Sequence, residues 1–93
     1  MSSRRIYSQN TLDTQERFFV TLDELSENNR LPGGVSGFCE QNGIDKRHLY
    51  SQRKDRSKGY FEVGWLFPLV AYYQVNARWL LTGRGKPYRS TGE

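Results

Sequence analysis

The 93-residue sequence holds one cysteine, one methionine, one histidine and three prolines. A single thiol cannot close an intramolecular disulfide or build a zinc site. No apolar run reaches the roughly 18 residues of a membrane-spanning helix, so none is expected. Residues 1–10 lack the apolar stretch of a secretory signal, and a soluble, reducing, cytoplasmic setting is the default expectation. The chain also lacks a carboxylate pair, a P-loop, a Gly-rich dinucleotide fingerprint and a cluster of metal ligands. An enzyme is therefore not expected, and no cofactor, metal or small-molecule ligand is indicated. Hydrophobic residues make up only 35% of the chain, below the roughly 45–50% usual for globular domains.

What is present is aromatic and basic. Two Trp, six Tyr and five Phe provide few but large side chains for a small core. The length suits one domain, and regulation is expected from a partner, from dimerisation or from a longer parent protein. The net charge of +4 is unevenly spread. Residues 1–30 carry four basic and five acidic side chains, residues 31–60 six and three, and residues 61–93 four and two. All six basic residues of the middle third fall between Lys46 and Lys58, opposed only by Asp55. A charge run by itself is usually a solvated face, so its meaning depends on the element that carries it.

The apolar spacing predicts helices and no strands. Residues 1–12 are polar and read as a flexible N-terminal arm. Asp13 and Glu16 have capping-box spacing, and Phe18, Phe19, Leu22 and Leu25 form a helical stripe, which predicts a first helix over 14–29. Leu31-Pro32-Gly33-Gly34 breaks it. A short helix over 35–41 carries Val35, Phe38 and Cys39 on one face and stops at Asn42-Gly43. Asp45 is a good N-cap for a third helix over 46–54, with Leu49 facing inward. A fourth stripe, Trp65, Leu66, Leu69, Val70 and Tyr73, contains Pro68, so the regular helix should start near residue 65 or 66, with proline in its first turn. Asn76 caps a last helix over 77–81, and Gly83 stops it. Residues 84–93 read as a frayed tail. The expected fold is all-α, a compact bundle of about five short helices occupying 13–83.

The two helices around Gly43 have the pattern of a helix-turn-helix. Cys39 is small where the helices meet, Gly43 supplies the turn, and Ile44 and Leu49 supply the apolar contacts. Asn42 and Gln52 depart from it, each standing where an aliphatic residue is common. The stretch 16–88 resembles the DNA-binding domain of the lambda-repressor and Cro-like helix-turn-helix family. Phe38-Cys39-Glu40-Gln41-Asn42-Gly43-Ile44-Asp45 is similar to the family's second helix, turn and cap. Val75-Asn76-Ala77-Arg78-Trp79-Leu80-Leu81-Thr82-Gly83-Arg84-Gly85 is similar to the closing segment of many bacterial and phage members. Pro68 and the long 31–37 connection depart from the common pattern.

The resemblance implies a small bacterial or phage transcription regulator, repressor-like, whose third helix enters the major groove of double-stranded DNA. The base contacts it implies are Lys46, Arg47, Tyr50 and Ser51, with Arg47 suited to a guanine. Arg53, Lys54, Arg56 and Lys58 follow as phosphate contacts, which set register and salt dependence. Arg4 and Arg5 are candidates for a minor-groove arm. The glycines 33, 34 and 37 would let a phosphate approach the start of the second helix. A homodimer reading two half-sites is a further implication, with the Trp79 helix and the tail as the surface to inspect. His48 reads more readily as a packed or solvated residue than as a contact. A Cys39–His48 catalytic pair is disfavoured, since the two helices should hold these side chains apart. Trp65, Trp79, Phe61 and Phe67 read as core or interface residues. The competing class is a protein-interaction module of antitoxin, accessory or anti-repressor type, for which exposed Tyr60, Phe61 and Tyr88 would speak. An RNA-binding domain lacks a stacking motif here.

Overall fold

The structure is a computed structural model and describes residues 5–89. Helix α1 spans Gln9–Glu27, α2 Gly34–Gln41, α3 Lys46–Lys54, α4 Phe67–Tyr72 and α5 Ala77–Thr82. A single 3-10 turn, Val63–Trp65, precedes α4. The fold is an all-α small bundle, and the extended pairing among the described residues is an isolated bridge between Val75 and Tyr88.

Helix α1 is the axis on which the others pack. Phe18, Phe19, Leu22 and Leu25 are buried along one stripe, as their spacing predicts. They meet Phe38 and Cys39 of α2, Leu49 of α3, Trp65, Leu66, Leu69, Val75 and Leu80 in one core. Phe18 is its centre. Its ring lies 5.0 Å from Phe19, 6.0 Å from Trp65 and 6.5 Å from both Phe38 and Phe61, centroid to centroid. Such tilted and edge-on arrangements are the favourable ones for aromatic rings.

The helix begins five residues before its expected start at residue 14. Ser8, not Asp13, is the N-cap, and its hydroxyl accepts from Thr11 N at 3.2 Å. Asp13 instead accepts from Gln9 Nε2 within the helix. Leu12 is the one apolar residue between Ser8 and Phe18, too little for hydrophobic periodicity to mark the first turns. The expected arm 1–12 is accordingly shorter, because residues 9–12 are helical. Helix α1 ends at Glu27, two residues early. Asn29 takes a left-handed φ of 58°, and Arg30 N turns back onto the Leu25 carbonyl.

Pro68 lies in the first turn of α4, where no amide hydrogen is needed. The regular helix starts at Phe67, slightly later than expected, because residues 63–65 wind as a 3-10 turn. Asn76 caps α5 by accepting from Arg78 N, and Gly83 closes it at φ 77°. Arg17 on α1 donates to the Leu80 and Leu81 carbonyls at 2.8 and 3.2 Å, satisfying the end of α5 from across the bundle.

The tail is not frayed over its described part. Asn76 N donates to the Pro87 carbonyl and Arg89 N to the Gln74 carbonyl, both at 2.8 Å. Tyr88 packs against the core, and burial pushes its hydroxyl pKa up. An aromatic anchor five residues beyond the Gly83 cap, paired with Val75 on the far side of α5, is a feature that local spacing does not reveal.

Candidate functional site

Helices α2 and α3 are joined by residues 42–45. Asn42 closes α2 by folding its carboxamide onto the Phe38 carbonyl at 2.8 Å. Gly43 sits at φ 66°, and Ile44 N then donates to the Cys39 carbonyl at 2.9 Å. Asn42, standing where an aliphatic residue is common in the pattern, thus serves as a capping side chain. Cys39 is a buried core residue, and burial pushes its thiol pKa up. His48 stands on the exposed side of α3, so the two make no pair.

Asp45 starts α3. Its Oδ1 accepts from Arg47 N at 2.9 Å and His48 N at 3.2 Å. The His48 amide bond is the largest cause of a carboxyl pKa below the ordinary aspartate value. Leu49 and Gln52 point into the core. At about 100° per residue, the face opposite them is centred on Arg47 and Lys54, with Ser51 and Tyr50 beside them. Arg47, Tyr50 and Lys54 are exposed and Ser51 is half-buried. The Arg47 guanidinium and the Lys54 ammonium have no hydrogen bond or ion pair among the described residues.

The other basic side chains are differently engaged. Lys46 Nζ donates to Ser36 Oγ on α2 at 3.2 Å. Arg53 lies 2.6 Å from Asp23 on α1. Arg56 pairs with Glu16 at 3.0 Å, donates to the Arg53 carbonyl, and sets its guanidinium 4.5 Å from the Phe19 ring centroid. Arg53 and Arg56 therefore fasten α3 and its following loop to α1, which spacing alone could not disclose. Lys58 is half-buried, and its carbonyl accepts from the Tyr7 hydroxyl at 2.7 Å. Arg4 lies outside the described residues. Arg5 N donates to the Ser57 carbonyl at 2.8 Å, so the N-terminal segment is seated on the loop after α3.

Two pairings on α3 join residues far apart in the chain. His48 stacks on Tyr60, centroids 4.1 Å apart and planes 8° apart, so His48 is solvent-accessible yet held. Gln52, standing where an aliphatic residue is common in the helix-turn-helix pattern, is fully buried against Gln15. The three glycines also differ in role. A Cβ on Gly37 would collide with the Pro32 carbonyl, so its smoothness admits the protein's own backbone rather than a phosphate. Gly33 and Gly34 adopt positive φ at the start of α2, which has no side-chain cap.

Tyr60, Phe61 and Tyr88 are packed against the core rather than exposed. Among the described residues the exposed large apolar side chains are instead Val63, Phe67, Tyr72 and Leu81, together with Ile6, Val20 and Tyr50 of α3. Val63, Phe67 and Leu81 border an apolar groove of about 400 Å³ between α4 and α5. Among the described residues no group of three or more His, Cys, Asp or Glu side chains is placed to hold a metal ion, and no helix is long and apolar enough to cross a membrane. No family model, no curated protein and no solved structure matches the chain.

Proposed function

We propose that this chain binds double-stranded DNA sequence-specifically, as a small bacterial or phage regulator of the lambda-repressor and Cro-like helix-turn-helix type. In this reading α2 and α3 form the helix-turn-helix, and α3 enters the major groove. The observation that carries it is the outer face of α3. It presents Arg47 and Lys54, whose charged ends make no hydrogen bond or ion pair among the described residues, between Tyr50 and Ser51, on a helix whose start is capped by Asp45 and whose inner face is locked in the core.

Arg47 stands in the first turn, where a side chain meets base edges, and its planar fork suits the O6 and N7 of guanine. Tyr50 and Ser51 flank it as base or sugar contacts. Lys54 ends the same face and suits a phosphate. Lys46 reaches toward α2 and serves at the edge of the groove. Arg53 and Arg56 become structural cations that hold the helix to α1, and their contribution to DNA is long-range charge. Arg5, whose backbone amide is seated on the Ser57 carbonyl, adds to the same basic edge. The chain acts in this reading in the cytoplasm, without catalysis or a cofactor, and as a homodimer on half-sites about one helical turn apart.

A mobility-shift titration at low salt, followed by selection from a random duplex pool, tests the reading. Binding that weakens steeply with salt and yields a recurrent site supports it, and no affinity at low salt overturns it. Exposed Val63, Phe67 and Leu81 favour a second reading, a module of the same fold that binds protein. Loss of partner binding in Phe67→Ser with DNA affinity absent throughout would decide for that class.

A further inference from the structure

Two carboxamides meet in the core. Gln52 on α3 and Gln15 on α1 both have no solvent exposure. Gln52 Nε2 donates to Gln15 Oε1 at 3.0 Å and to the Arg56 carbonyl at 2.9 Å. Gln52 Oε1 accepts from Tyr60 N at 3.0 Å. Gln15 Nε2 donates to the same Arg56 carbonyl at 3.3 Å. Replacing both partners of a buried hydrogen bond by apolar groups of similar shape is often nearly neutral in stability. A leucine pair would fill this space, so packing alone does not explain the glutamines. What leucines cannot do is hold the backbone of loop 55–60 at two places.

That loop matters because of what it carries. Arg56 and Lys58 lie on it, and Tyr60 at its end stacks on His48 of α3. From the outer side, Arg5 N and the Tyr7 hydroxyl bind the Ser57 and Lys58 carbonyls. The loop is thus gripped from the core by α1 and α3 and from outside by the N-terminal segment.

We infer that Gln52 is a positioning residue, which with Gln15 fixes loop 55–60 against α3 so that the loop, through the Tyr60–His48 stack, holds the outer face of the helix rigid for the duplex. The inference rests on the DNA-binding reading. A loop ordered before binding spares the complex the entropic cost of ordering it. Gln52 acts through the loop and touches no base itself.

The test is the full chain carrying Gln15→Leu together with Gln52→Leu. Circular dichroism first establishes that the helices persist. Native-state hydrogen exchange then compares the Tyr60 amide with the Leu49 amide, which lies within α3 and donates to the Asp45 carbonyl. The expected result is Tyr60 exchange faster by about tenfold or more with Leu49 protection retained, since only the loop opens locally. Duplex affinity should fall by about tenfold, and the preferred sequence should stay the same. Unchanged Tyr60 protection, or a freed loop with unchanged affinity, overturns the inference. If the double variant does not fold, Gln15→Leu alone replaces it and should give a smaller effect in the same direction. If the parent chain binds no duplex, the DNA reading fails, and the exchange comparison alone decides the coupling: loss confined to the loop supports it and a uniform change overturns it.

Discussion

The Arg53 guanidinium lies 2.6 Å from the Asp23 carboxylate, so a basic residue of α3 is committed to α1 before any ligand arrives. Lys54, its neighbour, has no partner among the described residues. Two adjacent cations with identical formal charge therefore should behave differently. Lys54→Ala is expected to lower duplex affinity for all sequences alike and to reduce the slope of log affinity against log salt by about 0.9. Arg53→Ala should change affinity much less and instead loosen the α1–α3 contact, by up to about 1 kcal/mol for an exposed ion pair. Salt-dependent anisotropy titrations and thermal melts of the two variants check this contrast.

Arg47 should act on specificity instead. If it reads a guanine, Arg47→Ala costs about 1–3 kcal/mol on the preferred site and little on random duplex. Competition between the selected site and random duplex measures that ratio, and an equal loss on both would assign Arg47 to the phosphates.

Asp45 gives a pH dependence whose sign is fixed by its cap. The Arg47 and His48 amides favour its charged form, so its folded pKa lies below the unfolded value of about 3.9. The charged cap therefore contributes stability that is complete above about pH 5 and lost as the pH falls through the lower folded value. Melts of the parent and Asp45→Asn, run from pH 7 downward, should differ most at neutral pH and converge in acid. A difference that grew on acidification would contradict the cap.

The glycines form a graded series. Gly37→Ala drives a Cβ into the Pro32 carbonyl and should cost about 1–3 kcal/mol, or a fall of roughly 10 °C in melting temperature. Gly43→Ala meets no neighbour but must hold φ 66°, and should cost about 1–2 kcal/mol. Gly64→Ala meets nothing and has no such constraint, so it should be close to neutral. Thermal melts rank the three.

Helix α3 was legible to the residue because Asp45 is a local cap and Leu49 a local anchor. Helix α5 was legible for the same reason, between Asn76 and Gly83. The start of α1 was not, since Leu12 is the one apolar residue between Ser8 and Phe18 and a single residue makes no stripe. The tail was not, since Tyr88 finds its place through a bridge to Val75. Within the candidate site, the outward placement of Arg47 and Tyr50 follows from helix periodicity. The engagement of Arg53 and Arg56 does not, because Asp23 and Glu16 are some thirty to forty residues away in the chain. Gln52 misled for a different reason: a polar residue on an inner face reads as a defect until its partners, Gln15, Arg56 and Tyr60, are seen together.

The central claim is that the outer face of α3 binds duplex DNA through Arg47 and Lys54. It is tested most directly by fluorescence anisotropy of a labelled duplex pool at low salt, with the parent chain and the Arg47→Ala, Lys54→Ala double variant side by side. Salt-sensitive binding by the parent and a loss of at least about tenfold in the double variant are expected, with both chains equally helical. Equal binding by the two, or none by the parent, would contradict it.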